Sequence, residues 1–264
     1  MLWVSDIHFE KTYLLLNGRD VRDGFLHEIW NADFDFMLIT GDISDSRHLE
    51  RDLLSISEAA AHRSVYFVLG NHDFYGSSFG EVDSAVARIC CQRRNLHHLG
   101  HREIIEATQD TYLIGIRGWA DGKAGHGRNT TSPFKDAKFI ADFKGDSRAT
   151  ILSKMTRLGQ ASGEYFQEMA AKTLLRSKNV IVATHVPPFV SAAYFNDEPC
   201  SKTALPFFTN ISAGARLKQC ISEHPGKQLT VYCGHTHTAY SHYETPALHV
   251  RVAAPRDLRI IEVR

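Results

Sequence analysis

Apolar residues in this chain come in short runs that each stop at a ligand-type residue. Leu2-Trp3-Val4-Ser5 stops before Asp6-Ile7-His8, and Phe34 to Thr40 before Gly41-Asp42. Val65 to Leu69 stops before Gly70-Asn71-His72-Asp73, Val180 to Thr184 before His185, and Leu229 to Cys233 before Gly234-His235-Thr236-His237. Runs of this length predict buried strands. Their ends would gather at the C-terminal edge of a sheet, where open α/β proteins keep their chemistry, with Asp42 at the centre.

Between the runs the spacing becomes helical. Val21, Phe25, Ile29 and Trp30 form a stripe within a helix over 21–31; Leu49, Leu53, Ile56 and Ala60 do so within 46–62, and Val82, Val86 and Ile89 within 79–94. Two strands follow, 103–107 and 111–117, then a helix over about 148–177 broken near Gly159 or Gly163, and a helix over 215–224. The tail alternates as an antiparallel sheet over 240–244, 247–253 and 258–263. Early β-α alternation predicts a mostly parallel sheet, and the later shift a second sheet or antiparallel edge.

Two stretches, 118–148 and 187–214, have no period. The first is glycine-rich and basic, and it reads equally as a binding loop or lid and as a solvated excursion without a role.

The chain has 264 residues, and 30 basic residues balance 30 acidic ones. This fits one α/β domain, residues 1–264, and gives no general attraction to nucleic acid or acidic membranes. Cys90, Cys91, Cys200, Cys220 and Cys233 show no CxxC pair, which suits reduced thiols in a cytoplasmic protein. The first strand begins at Leu2, which leaves no room for a signal peptide, and no apolar stretch approaches a membrane span.

Singly, an Asp or His after a strand is as often a cap or a satisfied polar group. Jointly, Asp6, His8, Asp42, Asn71, His185, His235 and His237 make a set of imidazole, carboxylate and amide donors. Such a set suits Mn, Fe, Zn or Ni better than Mg or Ca, and no thiolate is implied. Seven ligands exceed one four-coordinate site and match two ions sharing a carboxylate. Two such ions facing only two carboxylates leave positive charge that draws an anion. A metal pair about 3.5–4 Å apart supplies a bridging hydroxide for in-line attack on phosphorus, so phosphoester hydrolysis is expected.

The order Asp6-x-His8, Gly41-Asp42, Gly70-Asn71-His72-Asp73, His185, Gly234-His235-x-His237 resembles the calcineurin-like metallophosphoesterases, with all five signature blocks in sequence. The resemblance implies a four-layer αββα sandwich of two mixed sheets. It places Asp6, His8 and His237 on one metal, Asn71, His185 and His235 on the other, and Asp42 as the bridge, with divalent or trivalent ions and Mn²⁺ expected to serve in vitro. It makes His72, with Asn71, a phosphate contact, and makes His72 the general acid, with Asp45 as its partner in the protein phosphatase branch. That branch reads Asp-Arg-Gly where this chain reads Asp45-Ser46-Arg47, so its phosphate-binding arginine is replaced at best by Arg47. Asp73 stands where that branch has glutamate.

The motif set fits the class III cyclic-nucleotide phosphodiesterase branch, and a phosphodiesterase is placed ahead of a phosphomonoesterase. A nuclease and a non-catalytic scaffold subunit are the alternatives. The expected substrate is a small-molecule or nucleotide phosphoester, with nucleic acid possible, and is chosen by residues 10–20, 74–79, 118–147 and 187–210. Tyr13, Tyr75, Trp119, Phe189, Tyr194 and Phe195 offer rings to a base, though packing is the expected role of most. His97, His98 and His101 lack a carboxylate or cysteine block and make a poor metal site, and His126 is expected in solvent.

Overall fold

A computed structural model describes the chain over residues 1–12 and 18–263. The first half runs β1 (Leu2–Val4), α1 (Phe9–Thr12), α2 (Gly18–Asn31), β2 (Phe36–Thr40), α3 (Leu49–Ala59), β3 (Ser64–Val68), α4 (Phe79–Gln92) and β4 (Leu96–His98). The second half starts with β5 (Ile105–Thr108), β6 (Thr111–Gly115), α5 (Asp136–Phe139), α6 (Arg148–Leu174) and β7 (Asn179–Ala183). It continues through β8 (Tyr194–Phe195), β9 (Glu198–Pro199), α7 (Leu205–Phe208), α8 (Ile211–Ser222), β10 (Gln228–Cys233), β11 (Tyr240–Thr245), β12 (Leu248–Val252) and β13 (Arg259–Ile260).

Two sheets result, ordered β13-β1-β2-β3-β4 and β11-β12-β10-β7-β6-β5. Alternation along the strands builds three apolar layers. Leu2, Val4, Met37, Ile39, Val65 and Phe67 face outward onto α2, α3 and α4. Trp3, Phe36, Leu38 and Val68 face inward and meet Leu113, Ile181, Ala183 and Tyr232 of the other sheet. The outer face of that sheet, with Ile114, Val180, Val182, Val231 and Val250, packs on Phe166, Met169 and Leu217 of α6 and α8. This is the expected αββα sandwich, and coverage on both faces is why the strands read as unbroken apolar runs.

Several local expectations change. In α2, Phe25 and Ile29 are buried, but Val21 and Trp30 are exposed, so the stripe is narrower than its hydrophobicity suggests. The helix α6 is continuous over 27 residues. Gly159 does not break it but admits a neighbour, since a Cβ there would lie 2.4 Å from Asp121 Cβ. α8 starts at Ile211, where Asn210 caps it by accepting from Ala213 N–H. The tail is shared between sheets: β12 lies parallel to β10, and β13 antiparallel to β1.

The 118–148 segment is no solvated excursion. Trp119, Ile140 and Phe143 are buried in the first core, and Asp121 accepts from Ser212 N–H at the start of α8. No helix among the described residues is long and apolar enough to cross a membrane, and the five cysteines are unpaired.

Candidate active site

Three strand ends, those of β1, β2 and β10, turn sharply as they deliver their polar residues. Asp6, His8, Asp42, His235 and His237 all have φ between 50° and 70°, a left-handed conformation costly for residues with a Cβ. These bends turn the side chains back over the sheet edges. Gly234 is required beside them, because a Cβ there would sit 2.1 Å from Asp6 Oδ2 and closer still to Ser5 Oγ.

One donor set is Asp6, His8, Asp42 and His237. His237 Nε2 lies 3.2 Å from Asp6 Oδ1 and 3.1 Å from His8 Nε2, and His8 Nε2 lies 3.7 Å from Asp42 Oδ2. The second set forms around Asn71 Oδ1, which is 3.1 Å from both His185 Nε2 and His235 Nδ1. His185 Nε2 is 3.3 Å from Asp42 Oδ1. The two oxygens of Asp42 thus face different sets.

The outer atoms fix what the inner atoms can be. His185 Nδ1–H donates to Thr40 O at 2.8 Å, and His235 Nε2–H donates to Phe207 O at 3.0 Å. The Asn71 amide donates to Asp136 Oδ1 at 3.0 Å and to Tyr75 Oη at 3.2 Å. With those partners and with His185 neutral, Asn71 Oδ1, His185 Nε2, His235 Nδ1 and Asp42 Oδ1 converge as lone pairs. Such a set fits a cation.

The electrostatics agree. Burial opposes ionisation of Asp42, yet His185, His72 and His8 hold its carboxyl well below the usual range. Burial also opposes a charge on His185, but Asp42 and Asp6 push the imidazole up to about 10, so a proton on Nε2 takes the positive charge that a cation would supply in its place. His235, buried and facing His185, is pushed down to about 4.

His72 adjoins the first set, its ring centroid 4.4 Å from that of His8. Its backbone N–H donates to Asp42 Oδ1 at 2.8 Å. The partner expected for its side chain was Asp45, but the structure places Glu10 there: Glu10 Oε1 is 3.2 Å from His72 Nδ1 and 3.1 Å from His8 Nδ1. Although burial opposes it, these two imidazoles hold Glu10 down to about 2. Burial disfavours a charged His72, but Asp42 and Glu10 outweigh it and raise its pKa.

Asp45 is occupied locally, with Arg47 Nε at 3.1 Å and His48 Nδ1 at 2.6 Å. The Arg47 side chain is 75% exposed and directed at Asp45, not at the donor sets. Asp73 has a structural task. It accepts from the N–H groups of Ile43 and Ser44 at 2.9 Å and of Gly70 at 2.8 Å, clamping together the loops after β2 and β3.

Glu10 and Asp136 escaped the sequence reading. For Glu10 the available signal was its place two residues after His8; for Asp136 there was none. Asp136 is buried and reached by Tyr75 Oη–H at 2.5 Å as well as by Asn71, so the 118–148 segment reaches the site as a brace. Among the other rings, Trp119 and Phe189 are core, Tyr75 stacks on His72, Tyr194 stacks on Tyr240, and Phe195 is exposed near His237. Tyr13 lies outside the described residues. His97 and His98 form part of β4 and stack on Tyr66 and Phe67.

A double set of oxygen and nitrogen donors at the strand ends of an αββα sandwich defines a metal-dependent hydrolase of phosphoesters. The chain belongs to the calcineurin-like phosphoesterase family, whose model matches residues 1–239. Its fold is similar to that of a dimetal phosphatase from Danio rerio, at 12% identity and a TM-score of 0.57, covering 97% of this chain and 87% of that one. It is likewise similar to TT1561 of Thermus thermophilus, at 14% identity and a TM-score of 0.51, covering 97% and 88%. No curated protein matches the sequence.

Proposed function

We propose that this chain is a binuclear metallophosphoesterase that prefers phosphodiesters, with small molecules or nucleotides as substrates. The observation that carries this reading is the Asp42 carboxylate, whose two oxygens face separate donor sets, 3.7 Å from His8 Nε2 and 3.3 Å from His185 Nε2. Asp6, His8 and His237 would hold one ion, Asn71, His185 and His235 the other, and Asp42 would serve both. The mixed nitrogen and oxygen donors suit Mn, Fe, Zn or Ni. When bound, such ions would supply an activated water and offset the charge on the phosphoryl group.

His72 holds the proton for the leaving oxygen. Its Nδ1 is engaged by Glu10, which leaves Nε2 as the donating atom. A diester fits better than a monoester because Arg47 is directed at Asp45, so a monoester's second charge meets no arginine from that segment.

The test is hydrolysis of bis(p-nitrophenyl) phosphate beside p-nitrophenyl phosphate by metal-stripped protein titrated with Mn²⁺. Metal-dependent turnover with a higher kcat/KM for the diester is expected. A higher value for the monoester would overturn the diesterase preference, and no turnover of either with two ions bound would overturn the reading as a catalyst.

A further inference from the structure

We infer that Phe195 and Phe208 form an aromatic shelf beside the metal site, which receives the ester group that stays on phosphorus and selects a planar ring there, such as a nucleobase or aryl group. The shelf rests on the diesterase reading and adds to it the chemistry of the second substituent. Phe195 lies on β8, 44% exposed, its ring centroid 6.4 Å from that of His237. Phe208, at the end of α7, lies 5.1 Å from His235 and 6.0 Å from Phe195. The two rings therefore neighbour one residue from each donor set, Phe195 beside His237 and Phe208 beside His235.

The position also suits a diester. The rings of His72, His8, His237 and Phe195 follow one another at centroid steps of 4.4, 5.1 and 6.4 Å. The proton donor stands at one end of that run and the shelf at the other. A diester with its leaving oxygen toward His72 keeps its second substituent on phosphorus, and the two rings offer that substituent a face beside His237 and His235.

The shelf is built to hold its place. Asn196 and Asp197 have φ of 51° and 63°, the paired left-handed residues of a tight two-residue hairpin between β8 and β9. Asp197 N–H donates to Thr238 Oγ1 at 3.3 Å, and Tyr194 stacks on Tyr240 at 4.3 Å. Both ties run to the segment just after His237. Phe195 keeps 44% of its surface in solvent beside a polar site, and a stacked partner ring would bury more of it.

The experiment uses Mn²⁺-loaded protein and two phosphonates that are not hydrolysed, phenylphosphonate and methylphosphonate, with binding measured by calorimetry. Wild type is expected to bind the phenyl compound about tenfold more tightly, and Phe195→Ala to lose that preference with unchanged metal content, while Phe195→Tyr keeps it. Equal affinities in wild type, or a preference that survives Phe195→Ala and Phe208→Ala together, would overturn the shelf. Turnover of bis(p-nitrophenyl) phosphate measured alongside separates the two claims. Turnover without ring preference removes the shelf alone; neither turnover nor phosphonate binding removes the phosphoesterase site and the shelf with it.

Discussion

Asp42 and His72 touch through a backbone hydrogen bond, yet their roles separate by experiment. Asp42→Ala removes an oxygen from both donor sets, so metal content and turnover should fall together. His72→Ala removes only a proton carrier; metal content should stay and kcat drop by roughly 10²–10⁴. Elemental analysis beside kcat distinguishes them. Asp136→Ala frees the Asn71 amide to rotate, so affinity for the ion held by Asn71, His185 and His235 should weaken about 10- to 100-fold while saturating Mn²⁺ restores much of the rate, as a Mn²⁺ titration would read. The ligands were legible in the sequence because each lies within four residues of a strand end. Glu10 and Asp136 were not, since their contacts exist only once the chain has folded. Asp45 shows the opposite error: Arg47 and His48, two and three residues away, reach it before His72 can.

Among the elements, β4 carries a half-buried histidine that should register in acid. Burial, then the nearby His101 and Arg117, push His98 down to about 3. Its ordinary pKa is about 6.5, so between these values the unfolded chain binds a proton that the folded chain does not. Stability is therefore lost as pH falls from about 6.5 toward 3, by up to about 1.4 kcal/mol per pH unit from this residue. Urea unfolding of wild type and His98→Phe at pH 7, 5.5 and 4.5 should show a shallower decline for the variant. β4 itself was hidden in the sequence because a three-residue strand is too short to show a period. The long helices and buried strands were legible from their spacing. The partners of the tail strands were not, because alternation says which face is buried and nothing about which neighbour lies alongside.

Across the whole molecule, the donor sets join the two sheets. Asp6, His8, Asp42 and Asn71 follow strands of one, and His185, His235 and His237 follow strands of the other. A bound ion therefore stabilises the packed arrangement, by about 2.7 kcal/mol at a free concentration 100 times its Kd. Chelation should lower Tm and added Mn²⁺ should restore it, while Asp42→Ala should have a Tm insensitive to both, as read by thermal denaturation. The return of β13 to β1 has a different meaning for the living chain. The ribosome makes β1 well before β13, so β1 keeps one row of backbone donors and acceptors open until β13 is made. Every proposed ligand lies at or before residue 237, yet until residues 259–260 arrive the nascent protein offers another chain an edge to pair with. Residues 259–260 cover that edge with a strand of two residues, too short to offer much of an edge itself.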